Sequence, residues 1–275
     1  MNPLRALSEN EMRALAPSMF ATSPIGDVSD RYRFISTFEI VKRLQTKGWF
    51  PTKAQECRVI NEKNQGYQKH LIRFQRQDLI LNGDAIEVVL INSHNRSAAY
   101  QLMVGVFRFI CSNGMIVGET FEKISVKHVN FHPDEIAEAS YEIVRNAPKI
   151  AATTQNMKVI ELNERDKAEY AQSAALLQYD HPDAIPFNAN QLLTPRRLDD
   201  RGKNDLWSTF NIVQENMMKG GIRGLKRDQH GNMRRLTTRE IRSIDRSVRL
   251  NKQLWNLTEN YRVVKSATER TQPHV

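Results

Sequence analysis

Long apolar runs and a cysteine framework are both missing from this chain of 275 residues. No apolar run approaches the roughly 18–20 residues that a membrane-spanning helix needs, and the first residues lack the apolar core of a secretory signal. The two cysteines, Cys57 and Cys111, are too few for a disulfide framework and suit a reducing compartment. We therefore expect a cytoplasmic protein that does not associate with membranes.

Motifs that handle nucleotides or metals are missing as well. The chain contains neither the GxxxxGK(S/T) phosphate loop nor the GxGxxG fingerprint. His128 and His132 have a metal-compatible spacing, but no Glu follows the first histidine and the segment is predicted to end a strand. Cys111 precedes a tight turn, and no histidine is tied to it by spacing as a base. We predict no cofactor, no metal and no catalytic residue, and expect binding rather than catalysis.

One catalytic alternative stays open at Asp84 and Glu87. An acidic pair beside a β-rich run is typical of metal-dependent nucleases. Those enzymes also carry a lysine two residues after the Glu, and Val89 occupies that position here. A metal-dependent nuclease is therefore kept as the second alternative.

Positive charge, by contrast, is abundant and unevenly distributed. The formal net charge is +9, and residues 219–252, which we call the basic segment, hold eleven Lys/Arg against three acids, a net +8. The other 241 residues together carry only +1. Charge concentrated in this way indicates a surface that binds a polyanion. The predicted nucleic-acid-binding residues of the basic segment are Lys219, Arg223, Lys226, Arg227, Arg234, Arg235, Arg239, Arg242, Arg246, Arg249 and Lys252.

The basic segment is predicted to have two parts. Residues 219–232 contain four glycines and are predicted to form a loop that adapts to the backbone of a ligand. Thr237 and Glu240 have the spacing of a capping box, which predicts a helix from Thr238. On such a helix one stripe would consist of Arg239, Arg242, Arg246 and Arg249. Because the arginine fork matches phosphate oxygens, we expect contact with a phosphate backbone and no reading of bases.

Two aromatic residues are candidates for stacking on bases. Trp49 and Tyr67 lie close in sequence to several lysines and arginines, as expected of a single-strand binder. Phe107 and Phe109 share one strand face with Gly105 and are predicted to be core residues. We therefore add Trp49 and Tyr67 to the nucleic-acid-binding set.

Hydrophobic periodicity predicts an α+β protein, with an antiparallel β-meander packed against helices and a mostly helical C-terminal half. Ser36 and Glu39 have capping-box spacing, so a helix is expected to begin there and to end at Gly48. β-rich runs at 71–76, 85–92, 99–111, 115–117 and 120–129 predict four or five strands. Helices are then predicted at 133–145, 157–179 and 205–218, with a loop at 181–198.

This pattern predicts four regions. Residues 1–30 are expected to form a flexible N-terminal arm, and residues 31–180 an α+β core domain. Residues 181–264 are expected to form a helical basic C-terminal region, followed by a frayed tail at 265–275.

Two stretches resemble a known family. Residues 107–118 (FRFICSNGMIVG) are one; the other runs from WSTFNIVQENMMKGGIRG at 207–224 to RRLTTREIRSIDRSVRLNKQLWNLTE at 234–259. Both resemble the YfjQ/YafZ/YubP family, and the resemblance extends from about Phe34 to Glu259. These proteins have a domain of unknown function and are carried by prophages and conjugative plasmids. The resemblance implies a mobile-element setting, and hence DNA metabolism or conflict with a bacterial host.

The order of the predicted elements is also similar to the core of the single-strand annealing recombinases. That group includes the eukaryotic Rad-type ring and the phage Red-beta, RecT and Erf proteins. In the eukaryotic ring a helix ending in Gly-Trp precedes the meander, as residues 44–49 do here. The similarity implies binding of single strands by an oligomeric ring without nucleotide hydrolysis. This chain departs from that pattern in its central helices and in the C-terminal position of its charge.

Taken together, the residues and the resemblance predict a non-enzymatic single-stranded DNA-binding protein of a mobile element. We expect a homo-oligomer, in ring form if the annealing analogy holds, that anneals strands in recombination or repair. The first alternative is a host-defence antagonist, of the anti-restriction kind, that acts through protein–protein interaction. The nuclease is the second.

Overall fold

The computed structural model describes residues 4–26, 34–59, 61–81, 83–108, 113–116, 124–126, 134–227 and 229–271. The chain divides into two compact units: Met1–Phe109 with Gly114–Ala151, and Ile110–Asn113 with Ala152–Val275. The sequence predicted a boundary near residue 180, whereas the division falls at residue 151, inside a long helix.

The first unit is built around a six-stranded sheet. Its strands are β1 Phe50–Glu56, β2 His70–Leu81, β3 Asp84–Asn92, β4 Tyr100–Arg108, β5 Asn113–Ile116 and β6 Ile124–Val126. Strands β1 to β5 lie side by side in chain order, β1 to β4 pair antiparallel, and β6 pairs antiparallel with β4. The predicted α+β class and antiparallel meander are confirmed, with one strand more than expected. Of these predicted strands, residues 109–111, 117, 120–123 and 127–129 lie outside the described residues.

Two helices of the first unit contact β1: α1 Glu9–Leu15 and α2 Thr37–Thr46. Helix α2 begins as predicted, because the Ser36 side chain accepts a hydrogen bond from the Glu39 N–H (3.4 Å). It ends where Gly48 adopts φ +80°. The predicted helix from Ser36 to Gly48 is confirmed.

The predicted flexible arm is wrong for the part of residues 1–30 that the structure describes. Ser8 and Glu11 form a capping box that starts α1. Met12 and Met19 are buried in the core of the first unit. The Ser18 N–H donates to the Glu56 carboxylate on β1 (3.0 Å). Apolar burial and this hydrogen bond fix the segment to the sheet.

The second unit is mostly helical, as predicted. Its helices are the last residues of α3 Asp134–Val159, then α4 Glu164–Leu176, α5 Leu206–Lys219 and α6 Ile244–Thr271. The predicted helix at 157–179 is two helices, because the Asn163 side chain caps a new one by accepting from the Asp166 N–H (2.9 Å). The predicted loop at 181–198 contains short 3₁₀ turns, and the predicted tail is helical as far as Thr271.

Aromatic side chains from α5 and α6 form the core of the second unit. The rings of Trp207, Phe210 and Trp255 are all buried, with centroids 5.5–6.4 Å apart. The Tyr170 hydroxyl of α4 and the Thr258 hydroxyl of α6 share a buried hydrogen bond of 2.7 Å. These contacts hold α4, α5 and α6 together and anchor both ends of the basic segment. Among the described residues, no helix is long and apolar enough to cross a membrane.

Candidate nucleic-acid interface

The glycine-containing part of the basic segment is a two-stranded antiparallel ribbon, not a loop. It consists of β7 Arg223–Arg227 and β8 Met233–Thr237, paired from Arg223↔Thr237 to Arg227↔Met233. Gly231 adopts φ +83° in the connection, a conformation that suits the tight turn of a hairpin. The predicted adaptable loop is therefore wrong for these residues.

The ribbon presents positive charge on both of its faces. Residues paired directly across two antiparallel strands share a face. One face therefore carries Arg223, Arg227 and Arg235, and the other carries the pair Lys226↔Arg234. All five of these side chains are exposed.

Most of these charges are not used inside the protein. The side chains of Arg223, Lys226, Arg227 and Arg235 form no hydrogen bond or ion pair with any residue that the structure describes. Their donors are therefore available to an external anion.

The predicted arginine stripe is wrong, because α6 begins at Ile244 and not at Thr238. The Thr238 backbone is bonded to the base of the ribbon: its N–H donates to the Ile222 carbonyl (2.9 Å), and its carbonyl accepts from the Gly221 N–H (2.8 Å). Ser243 caps the helix instead, accepting from the Arg246 N–H (3.4 Å).

The four stripe arginines are exposed but divided between two environments. Arg239 and Arg242 lie in the connection before α6, and Arg242 forms an exposed ion pair with Glu240 (2.9 Å). Arg246 and Arg249 lie in the first turns of α6. Lys252 is half-buried further along the same helix.

Lys219 belongs to an internal ion-pair cluster at the end of α5. The nearly buried Glu215 carboxylate accepts hydrogen bonds from Lys219 and from Arg197 (3.0 Å to Arg197). Burial acts to raise the pKa of Glu215, but the bonds and charges of Lys219 and Arg197 outweigh it and hold that pKa below its usual range. Lys219 is thus engaged in an ion pair within the protein, which makes it a weaker phosphate candidate than the unpaired side chains of the ribbon.

A groove of about 800 Å³, which we call the ribbon groove, runs along the base of the ribbon. Residues 185–188 form one wall, and the first residues of β7 with the last residues of β8 form the other. The Leu225 N–H joins the walls by donating to the Pro186 carbonyl (2.6 Å). Gly224 permits this close approach, since a Cβ there would lie 1.9 Å from the Pro186 oxygen.

Phe187 and two arginines line this groove. The Phe187 ring contacts the Tyr179 ring edge-to-face, with centroids 5.9 Å apart. Burial raises the pKa of Tyr179, and the positive charge of Arg246 acts in the opposite direction, so Arg246 is near this pair. Arg223 and Arg235 line the groove from the ribbon side. Sequence reasoning missed Phe187 and Tyr179 because they precede the basic segment by more than thirty residues.

The aromatic residues predicted to stack on bases lie elsewhere, in the first unit. Trp49 is completely buried, so its assignment as a stacking residue is wrong. Its position directly after α2 places the indole in the core. Tyr67 is half-buried, and its predicted role stays a prediction.

The acidic pair considered for a nuclease is part of the sheet. Glu87 on β3 is fully buried, and its two oxygens accept hydrogen bonds from Arg73 (2.7 Å) and Gln75 (2.8 Å) on β2. Asp84 lies at the start of the same strand. Within the part of the chain that the structure describes, no three His, Cys, Asp or Glu side chains are grouped to hold a metal ion. Cys111, His128 and His132 lie outside the described residues.

Comparison with known proteins identifies relatives over most of the chain. The family model described as "Domain of unknown function (DUF932)" matches residues 24–255. UPF0380 protein YfjQ and UPF0380 protein YafZ, both of Escherichia coli (strain K12), are each 32% identical over 255 residues, covering 93% of this chain and 91% of the relative. The predicted resemblance to YfjQ and YafZ is confirmed. No solved structure matches the chain, and the analogy with annealing recombinases stays a prediction.

Proposed function

Because the chain belongs to the DUF932 family, a family of unknown function, its role has to be inferred from its own surface, and we propose that it binds DNA through the phosphate backbone. The observation that carries this proposal is the ribbon of β7 and β8. Four of its basic side chains are exposed and unpaired among the described residues. Unpaired arginine and lysine side chains on one small element are the usual contacts to phosphates.

The geometry supports backbone contact more than base reading. Phosphate contacts position a protein on DNA and supply affinity for any sequence. Arginine and lysine can read guanine in duplex DNA, whereas reading adenine or cytosine needs an amide or a carboxylate side chain. The side chains of Lys226, Arg227 and Arg234, towards the tip of the ribbon, offer donors only. Binding is therefore expected to be strong at low salt and indifferent to sequence.

The proposal includes no chemical step. The Glu87 carboxylate, the best acid of the nuclease alternative, has both oxygens engaged by Arg73 and Gln75. We propose that this protein binds DNA without catalysing a reaction, and that it serves strand annealing in recombination or repair as a homo-oligomer. The test below also distinguishes this role from that of a host-defence antagonist.

A salt titration of DNA affinity tests the ribbon directly. We expect Lys226→Ala/Arg227→Ala to weaken binding of an oligo-dT about tenfold or more at low salt, since two charged hydrogen-bond donors are lost. The slope of log K against log salt should fall by about 1.4, because each contact to a single strand contributes about 0.7. Fluorescence anisotropy of labelled oligo-dT measures both quantities.

The matched control removes the same charge from another exposed part of the second unit. Arg201→Ala/Lys203→Ala also lowers the net charge by two, at exposed positions outside the basic segment. It should leave the slope unchanged. Equal losses in the two variants would show that only net charge matters, and would refute the ribbon as the contact. A wild-type protein that binds no DNA at low salt, but captures one stoichiometric host protein, would favour the antagonist.

A further inference from the structure

We propose that the ribbon groove is a binding site for an unpaired nucleotide, so that single-stranded DNA is the preferred ligand. This inference rests on the proposed binding of DNA by the ribbon and adds to it a specific site for one base. The groove of about 800 Å³ lies within the range of small-ligand pockets, roughly 300–1,000 Å³.

The apolar wall of the groove is suited to a base. Phe187 is half-buried there beside Ile185 and Pro186, and Leu225, which is half exposed, also lines the groove. The edge-to-face contact with Tyr179 restrains the Phe187 ring. An aromatic ring held at a groove wall is the usual platform on which an unpaired base stacks.

The ribbon wall of the groove is suited to a phosphate. Arg223 and Arg235 both line it, both are exposed, and neither side chain has a partner among the described residues. They lie on the same ribbon face, in neighbouring cross-strand pairs of that face, so they can act on one or two adjacent phosphates. Two arginines and an aromatic side chain in one groove match the two ends of a nucleotide: charge for the phosphate and a flat apolar surface for the base.

Polar side chains at the groove offer contacts to base edges without enforcing one sequence. Gln191 lines the groove and is exposed, and its amide has both a donor and an acceptor. Asn188 uses its side-chain oxygen to cap the 3₁₀ turn, accepting from the Asn190 N–H (2.9 Å). One adaptable amide is compatible with any of the four bases.

The site discriminates against duplex DNA for a simple reason. In a duplex both faces of a base are covered by its stacked neighbours, so no face is free for Phe187. An unpaired nucleotide presents that face at little cost. Stacking of one base on an aromatic side chain raises affinity about five- to 150-fold, and only single strands gain this increment.

Two ligands and two variants test the groove separately from the ribbon. Phe187→Leu keeps an apolar side chain in the wall and removes the aromatic ring. We expect it to weaken binding of oligo-dT about five- to 150-fold, and to leave the affinity for a duplex of the same length within about twofold. Lys226→Ala/Arg227→Ala should weaken both ligands. Anisotropy at one fixed salt concentration, with circular dichroism as the check on folding, gives the six affinities of wild type and the two variants for the two ligands.

An abasic strand of the same length supplies a test that does not depend on how the variant folds. Wild-type protein should bind the abasic strand as weakly as the Phe187→Leu variant binds oligo-dT, and Phe187→Leu should have no further effect on the abasic strand. Equal wild-type affinity for the abasic strand and oligo-dT would overturn the groove proposal. Unchanged oligo-dT binding by Phe187→Leu would do the same while leaving the ribbon in place. If wild type binds neither oligo-dT nor duplex, the proposed function itself fails.

Discussion

Gly224→Ala should separate the shape of the ribbon groove from its charge. A Cβ at this position would lie 1.9 Å from the Pro186 oxygen, well inside the 3.0 Å that such contacts keep. The backbone of Gly224 is not in the left-handed region, so alanine adds a steric clash and no φ strain. Overpacking costs about 1–3 kcal/mol, and the hydrogen bond from Leu225 to Pro186 contributes about 0.5–1.5 kcal/mol. The docked ribbon should therefore be destabilised by about 1.5–4.5 kcal/mol in total.

Amide hydrogen exchange measures this loss at the atom concerned. The Leu225 N–H donates to the Pro186 carbonyl in the wild-type chain (2.6 Å), and its protection should fall sharply in Gly224→Ala. The preference for oligo-dT over duplex should fall with it, while the salt slope stays, because no charge is removed.

Gly231→Ala is the control for this prediction. Gly231 adopts φ +83°, and no atom lies within 4 Å of the point that a Cβ would occupy, so alanine there adds backbone strain of about 1–2 kcal/mol and no clash. The Leu225 amide should stay protected in this variant. Undiminished protection of Leu225 in Gly224→Ala would refute the close approach of β7 to residues 185–188.

Two further predictions concern the stability of the first unit. Burial, with the neighbouring His94 acting in the same direction, lowers the pKa of His70 from 6.5 to about 3. As the pH falls, the unfolded chain therefore takes up this proton before the folded chain does. The free energy of unfolding should fall by about 2 kcal/mol between pH 7 and pH 5. Urea midpoints should show this loss of stability at low pH in wild type and in His181→Gln, the control at an exposed histidine, and not in His70→Gln. An equal loss of stability in His70→Gln would exclude His70 as its source. Glu87→Gln should cost about 3–5 kcal/mol, because the buried Arg73 guanidinium loses the charge of the Glu87 carboxylate, and Arg73→Met/Glu87→Leu should recover most of that loss in the same urea assay. A smaller loss in Glu87→Gln than in the double variant would contradict the buried pair.

Those parts of the fold that depend on residues close together in the sequence could be predicted from the sequence. Helix α2 begins at the Ser36 cap and ends at Gly48, because both signals act within one helical turn. The hairpin of β2 and β3 follows from two β-rich runs that are close in sequence and from Gly83 in the turn between them. Helix α5 likewise begins at the Asp205 cap, one residue from the predicted start.

The start of α6 could not be predicted, because it depends on a contact outside its own turn. Thr237 and Glu240 have the correct spacing for a capping box, and an isolated peptide would be free to use it. In the chain, Thr238 instead bonds to Ile222 and Gly221, sixteen and seventeen residues earlier. Those bonds exist only once the ribbon has formed, and five-residue strands in which half of the residues are charged give little β signal.

The candidate site was hidden for a related reason. Phe187 and Gly224 are far apart in sequence, and only the bond between Pro186 and Leu225 shows that they share a groove. Trp49 illustrates the opposite error. Its lysine neighbours in sequence suggested a surface residue, whereas the packing of α2 on the sheet buries it completely.

The arrangement of charge on the ribbon is itself costly, and this cost bears on function. Lys226 and Arg234 are directly opposite each other on β7 and β8, and like charges at such positions destabilise a strand pair. A two-stranded ribbon has little stability to spare, so a sequence selected for stability alone would place an acid at one of the two positions. In the proposed complex a phosphate backbone adds negative charge beside these side chains, and any ligand that binds only the folded ribbon stabilises it by mass action. Bound DNA should therefore slow the hydrogen exchange of the ribbon amides. If the ribbon served only internal packing, added DNA would leave that exchange unchanged.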